Sequence, residues 1–211
     1  MKSLYLAALV LAALALPACG GIGGANPGDF GYSSYSPVNV HRVRVGDGSL
    51  SVVPPRPWNR QRPSFIDDVR QVEDWTLNGP YLDGISFVTG LKTGKSLIRQ
   101  SRRADQQVPL FRSDMTPPEI AAMVESLYRV KGGAVDFRTL SLQPRNFLGT
   151  SGFQLDYEHL DGDELWRRGR VVGAVIGGRL YLILYDAARS HYYAAALPDF
   201  EAIVASAQFA S

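Results

Sequence analysis

The sequence predicts an α+β fold: an antiparallel β-sheet with helices packed on it, preceded by a signal peptide and a flexible tether. Three observations point there. Short apolar–polar alternations separated by Gly-containing turns run in sequence order through the second half of the chain. Two segments of 3.6-residue apolar periodicity flank that run, one on each side. The first 37 residues join an export-type leader to a Gly/Ser/Pro-rich stretch.

The bulk composition agrees with a globular domain. Of 211 residues, 45% are apolar and 20% charged. Lys+Arg number 22 against 20 Asp+Glu, a formal charge of +2. That excludes a nucleic-acid binder held by bulk charge and a chain kept unfolded by self-repulsion. A single Cys excludes an internal disulfide and an all-Cys metal site.

Residues 1–18 read as the signal. Met1-Lys2-Ser3 gives a positive start, Leu4 to Leu16 an apolar run, and Pro17-Ala18 a small residue before Cys19. The run is short of the ~20 apolar residues that a membrane-spanning helix needs. Leu16-Pro17-Ala18-Cys19 resembles the lipobox of bacterial lipoproteins, with the chain's only Cys where the motif requires it. Pro17 stands where that pattern usually has a small or β-branched residue, and cutting near Ala15 or Ala18 by ordinary signal peptidase is the alternative. The resemblance implies diacylglycerol on the Cys19 thiol, cleavage before Cys19 and acylation of the new amine. Two or more acyl chains anchor stably, where one alone is marginal. In that family an Asp after the Cys retains the protein at the inner membrane; Gly20 implies the outer membrane, periplasmic face.

Residues 19–37 are then the lipidated Cys and a tether, since a Gly/Ser/Pro-rich segment buries too little to offset its ordering entropy. Residues 38–211 form a single globular domain, long enough to need no disulfide. Val38 to Val45 alternates as a half-buried strand, Asp47-Gly48 turns, and Leu50 to Val53 returns. Residues 54–70 read as irregular. Val72 to Leu77 and Tyr81 to Val88 form a second hairpin about Asn78-Gly79-Pro80. Thr116 and Glu119 make a capping box around Pro117, and Ile120, Met123, Val124, Leu127 and Tyr128 share one helical face up to the Lys131-Gly132-Gly133 stop. Val135 to Phe137, Phe153 to Tyr157, Leu165 to Ile176 and Arg179 to Asp186 are strands, with turns at Asp161-Gly162 and Gly177-Gly178. His191 to Leu197 reads as a further strand, and a last helix from about Asp199 carries Phe200, Ile203, Val204 and Ala207 on one stripe. From Thr116 to Ser211 this order of elements resembles the Mog1/PsbP-like sandwiches, a fold used by binding and accessory proteins of unrelated kinds, which transfers no site residues.

Motifs for chemistry are few. Gly90-Leu91-Lys92-Thr93-Gly94-Lys95-Ser96 has three residues between its glycines where a phosphate-binding loop needs four. Gly149-Thr150-Ser151-Gly152-Phe153 lacks the last Gly of a nucleophile elbow. His41, His159 and His191 show no metal-ligand spacing and read as exposed polar residues. Asp161-Gly162-Asp163-Glu164 lacks the later ligands of a calcium loop and reads as a polar turn. Asp67-Asp68 and Glu73-Asp74, near Trp58 and Trp75, have the residue types of a glycosidase pair, whose separation decides the matter. No metal or cofactor is expected. Lys92, Lys95, Arg99, Arg102 and Arg103 form the densest positive run, a candidate anion-binding patch.

The expectation is an outer-membrane-anchored periplasmic lipoprotein, a non-catalytic binding or accessory module. Its partners would be the membrane through Cys19, and an envelope protein, anionic lipid or glycan, with nucleic acid disfavoured by compartment. The alternatives are an envelope hydrolase acting on a glycan or ester, and a structural component with no ligand pocket.

Overall fold

The computed structural model describes residues 35–61, 69 and 71–210. Eleven strands and two α-helices are formed among them: β1 Tyr35–Val38, β2 Val43–Val45, β3 Leu50–Val52, β4 Trp58–Gln61, β5 Val72–Thr76, β6 Asp83–Lys92, α1 Pro117–Lys131, β7 Asp136–Phe147, β8 Thr150–Leu160, β9 Trp166–Ile176, β10 Arg179–Ala188, α2 Tyr192–Ser206 and β11 Gln208–Phe209, with a short 3₁₀ turn at Ala104–Gln106. Eight strands make one antiparallel sheet in the order β1-β4-β5-β6-β10-β9-β8-β7; β11-β3-β2 make a second, small sheet.

Topology follows from local links. β4, β5 and β6 run as neighbours to the sheet's middle, the chain crosses through α1 to the far edge, and β7 to β10 return hairpin by hairpin until β10 pairs with β6. Each turn carries its chemistry. Gly177 and Gly178 have φ of 57° and 72°, which only glycine adopts freely, and they close β9 on β10. Between β5 and β6 the buried Asp83 carboxylate accepts hydrogen bonds from the Thr76 hydroxyl (2.9 Å) and from the Leu77 and Asn78 amides (2.7 and 3.1 Å).

Strand residues alternate between faces, so the central sheet is apolar on both. On one face Trp75, Phe87, Ile183 and Tyr185 meet Phe200, Ile203 and Val204 of α2, together with Leu50 and Val52 of the small sheet. On the other, Leu155, Val171, Leu182 and Leu184 meet Ile120, Met123 and Val124 of α1. Side chains of this size stabilise by ~1.5–3 kcal/mol each when fully buried. The Glu119 carboxylate accepts from the Thr116 amide (2.7 Å) and hydroxyl (2.8 Å), fixing the start of α1.

Four readings are corrected. Val38 to Val45 is two strands in different sheets, parted by a turn in which the His41 amide bonds the Asn39 carbonyl at 2.8 Å. Tyr35, Ser36 and Pro37, assigned to the tether, belong to β1; Pro37 fits there because β1 is an edge strand. The stretch 54–70 contains β4, where Trp58 is 1% exposed. His191 to Leu197 is the start of α2 and not a strand. Tyr193 and Ala196 extend the stripe of Phe200, Ile203 and Val204 backwards at helical spacing. Pro198 removes one backbone donor inside that helix, but Ala194 and Pro198 are both exposed, so water reaches the carbonyl left free. Cys19, residues 1–18, most of the tether, and Asp67 and Asp68 lie outside the described residues.

Candidate functional site

The chemistry-bearing side chains gather at the β7–β8–β9 end of the sheet, and the pleat divides them. His159 and Tyr157 on β8 and Arg167 on β9 face α1. Glu158 on β8 and Arg168 and Arg170 on β9 face the side of α2.

The α1 side is a closed polar cluster. His159 Nε2 lies 2.9 Å from Asp186 Oδ2, and Nδ1 lies 2.8 Å from Asp161 Oδ1. Arg167 Nε pairs with Asp186 Oδ1, and its Nη1 donates to the Tyr81 carbonyl at 2.7 Å. The Tyr157 hydroxyl sits 2.5 Å from that of Tyr128 and 3.2 Å from Asp186 Oδ2. Phe137 stacks on Tyr157 with ring centroids 5.1 Å apart. Gly169 makes room for the cluster: a Cβ there would lie 2.0 Å from Tyr157 Cζ. Burial alone would push the His159 pKa down, but the two carboxylates outweigh it and raise it from 6.5 to about 9. Asp186 is likewise held below the ordinary carboxylate range: burial opposes its charge, and His159 and Arg167 overcome that. The result is a charged group in which opposite charges face each other, His159 Nδ1 and Asp161 Oδ1 meeting as an ion pair at 2.8 Å without hydrogen-bond geometry. His159 is 1% exposed, which corrects its reading as an exposed residue. Its partner Asp186 lies 27 residues away in sequence and Asp161 was read as a solvated turn acid, so the only local signal was the His159-x-Asp161 spacing.

The α2 side is open and more heavily charged. Cross-strand register places Arg138 of β7, Glu158 of β8 and Arg168 of β9 in one row on one face. Glu158 lies 3.6 Å from Arg138 and 3.3 Å from Arg189; Arg138 also pairs with Asp136 at 2.6 Å. Both arginines stack on Trp166, at 4.7 and 4.9 Å. One row on, Arg170 bridges Asp156 (2.6 Å) and Glu201 of α2 (2.7 Å), and Glu201 also takes Arg145 at 2.7 Å. Arg168 stacks over Tyr193 at 5.1 Å.

The other sequence candidates separate. Lys92 is exposed at the end of β6, and Lys95, Arg99, Arg102 and Arg103 are exposed on the connection between β6 and α1. Gly90 to Ser96 is the end of β6 and a turn, with no α-helix start beside it to hold phosphate. Ser151 and His159 lie eight residues apart on β8, about 26 Å in extended chain. His191 is exposed at the start of α2. Glu73 and Asp74 are consecutive strand residues on opposite faces: Glu73 bonds Trp75 Nε1 (2.6 Å), whereas Asp74 reaches Ser86 and lies 3.8 Å from Lys131. The two cannot flank one glycosidic bond with each other, and their pairing with Asp67 or Asp68 lies outside the described residues. Among the described residues no group of three or more His, Asp and Glu is arranged to hold a metal ion, and no helix is long and apolar enough to cross a membrane. A groove of about 390 Å³ opens between the β7–β8 turn and the end of α2, lined by Arg145, Phe147, Leu148, Val204 and Phe209.

No protein-family model matches the chain, and no curated protein does. Among solved structures, the cyanobacterial PsbP protein, CyanoP, of Synechocystis sp. PCC 6803 is 14% identical with a TM-score of 0.53, over 90% of this chain and all of that one. The Ran-binding protein Mog1p of Saccharomyces cerevisiae is 13% identical, TM-score 0.44, over 83% of this chain and 95% of its own. LpqN of Mycobacterium tuberculosis, described as involved in cell envelope biogenesis, is 11% identical, TM-score 0.35, over 87% and 88%. The likeness to CyanoP agrees with the resemblance read from residues 116–211 and is one of fold alone, an α+β arrangement of a large antiparallel sheet with helices packed on it.

Proposed function

We propose that the protein is a non-catalytic binding or accessory module of the bacterial cell envelope, held at the periplasmic face of the outer membrane by lipid on Cys19. The observation that carries the non-catalytic part is the closure of the His159 cluster. Both ring nitrogens lie within 2.9 Å of carboxylates, so neither is free to take a proton from a nucleophile. Ser151, the one serine in a Gly-flanked setting, stands some 26 Å along the same strand. Support for the envelope part is in the sequence: the leader, the Leu16-Pro17-Ala18-Cys19 motif, the lone Cys and Gly20 after it. The experiment is growth of a bacterial host with labelled palmitate, followed by membrane fractionation. Wild type should carry label in the outer membrane, and Cys19→Ala should lose both label and membrane association. Equal labelling of the two, or a soluble wild type, overturns the anchor.

A further inference from the structure

We propose that the open sheet face centred on Arg168 is a docking site for an acidic segment of a protein partner. This deepens the reading of the chain as a binding module and rests on it. The argument starts from how the charges on that face are matched. Arg138 has Asp136, Arg189 has Glu158, Arg170 has Asp156 and Glu201, and Arg145 has Glu201. Arg168 is left over. Among the described residues its one partner is the Tyr193 ring, and its Nε is buried without an acceptor. Glu158 stands directly opposite in register, yet its carboxylate is drawn to Arg138 and Arg189.

A half-buried guanidinium has lost part of its hydration and here regains none of it from a carboxylate. The buried Nε stays out of reach, but an entering carboxylate brings the counter-charge that this face lacks to the terminal nitrogens of Arg168, in the forked geometry that suits arginine better than lysine. The site around it is aromatic. Trp166 precedes Arg168 by two residues on the same face, and Tyr193 lies beneath the guanidinium. Arginine with tryptophan and tyrosine is the composition of the energetic centre of protein interfaces.

Charge complementarity selects the occupant. Membrane surfaces attract clusters of unmatched cations. This face has one unmatched cation among paired ones, which fits one carboxylate of an Asp- or Glu-bearing segment lying beside α2. Lys92, Lys95, Arg102 and Arg103, without an ion pair among the described residues, form the surface suited to lipid, at the end of β6 and on the connection after it.

The test uses the full chain and a fluorescein-labelled hexaglutamate peptide, read by fluorescence anisotropy at low salt. Wild type should bind it, and Arg168→Gln should weaken binding by about tenfold. Glu158→Gln removes the competing carboxylate and should tighten it. A variant with Lys92, Lys95, Arg102 and Arg103 all changed to Gln should keep the wild-type affinity. Unfolding midpoints of each variant, measured alongside, separate lost binding from lost fold. The opposite expected signs of Arg168→Gln and Glu158→Gln keep the result readable if either shifts stability. No binding by wild type overturns the proposal, as does equal binding by Arg168→Gln or loss only in the four-residue variant. Binding to phosphatidylglycerol vesicles that depends on Arg168, without peptide binding, overturns it in favour of a lipid headgroup. Each of these failures leaves the palmitate result, and with it the envelope reading, untouched.

Discussion

The two faces of β8 and β9 carry nearly the same kinds of side chain and use them oppositely. On the α1 side, His159, Arg167 and Asp186 are 1%, 7% and 8% exposed, and both cations pair with the Asp186 carboxylate. On the α2 side, Arg138 of β7 and Arg189 just after β10 have side chains 55% and 46% exposed and share the Glu158 carboxylate. Coverage makes the difference. α1 packs over β7 and β8, whereas α2 lies over β6, β9 and β10. A charge network under a helix must be complete, since a buried charge left without a partner is costly. A network beside a helix can leave one member unmatched, because water covers the deficit until a partner displaces it. Location on the sheet, and not residue type, thus separates the enclosed histidine from the half-buried Arg168.

The largest expected effect comes from opening the closed face. Asp186→Ala strands the His159 and Arg167 charges without their shared carboxylate and should cost ~3–5 kcal/mol of unfolding free energy. Urea unfolding measures it; a loss below ~1 kcal/mol would mean that the cluster is no structural unit.

The same cluster predicts a pH dependence with a definite sign. The His159 pKa is raised in the folded protein from 6.5 to about 9. Its stabilisation is therefore complete below pH 6.5 and is lost as pH rises through 9, a change on the order of 3 kcal/mol. Unfolding midpoints between pH 6 and 10 should fall for wild type and stay flatter for His159→Gln. Parallel curves would show that His159 is neutral in the folded state.

How much of this contrast was legible in the sequence depends on range. The α1 start, the β9–β10 turn and the β5–β6 hairpin were readable, because Thr116 with Glu119, Gly177-Gly178 and Asn78-Gly79 act within a few residues. α2 was misread at its N-terminal end, because Pro198 stands inside it and the anchors Tyr193 and Ala196 lie before that proline. β4 was missed since a four-residue strand between prolines has no period to detect. The candidate sites fared differently again. Lys92 to Arg103 stood out because its cations are close in sequence, whereas Arg138, Glu158 and Arg168 meet only through strand register. His159 looked like a strand-end polar residue because neither α1 above it nor Asp186 beside it is near in sequence. Pairing across strands is a tertiary property, and a single sequence encodes it only through the turns.

The smallest expected effect is on the open face, and it sharpens the comparison most. Arg138→Gln removes two ion pairs and a stack on Trp166, all at a side chain 55% exposed. Exposed pairs contribute ~0.2–1 kcal/mol and an exposed cation–π contact ~0.5–1 kcal/mol, so the loss should be about 1 kcal/mol. Part of it should vanish at 1 M salt, where the screening length is ~3 Å. The Asp186→Ala loss should persist there, because its charges are shielded by protein and not by ions. Unfolding of both variants at 0.1 and 1 M NaCl decides the point. If Arg138→Gln costs as much as Asp186→Ala and ignores salt, the α2-side charges are as structural as those beneath α1. Arg168 would then be one more fixed member of a network, and the face it lies on would have no partner to wait for.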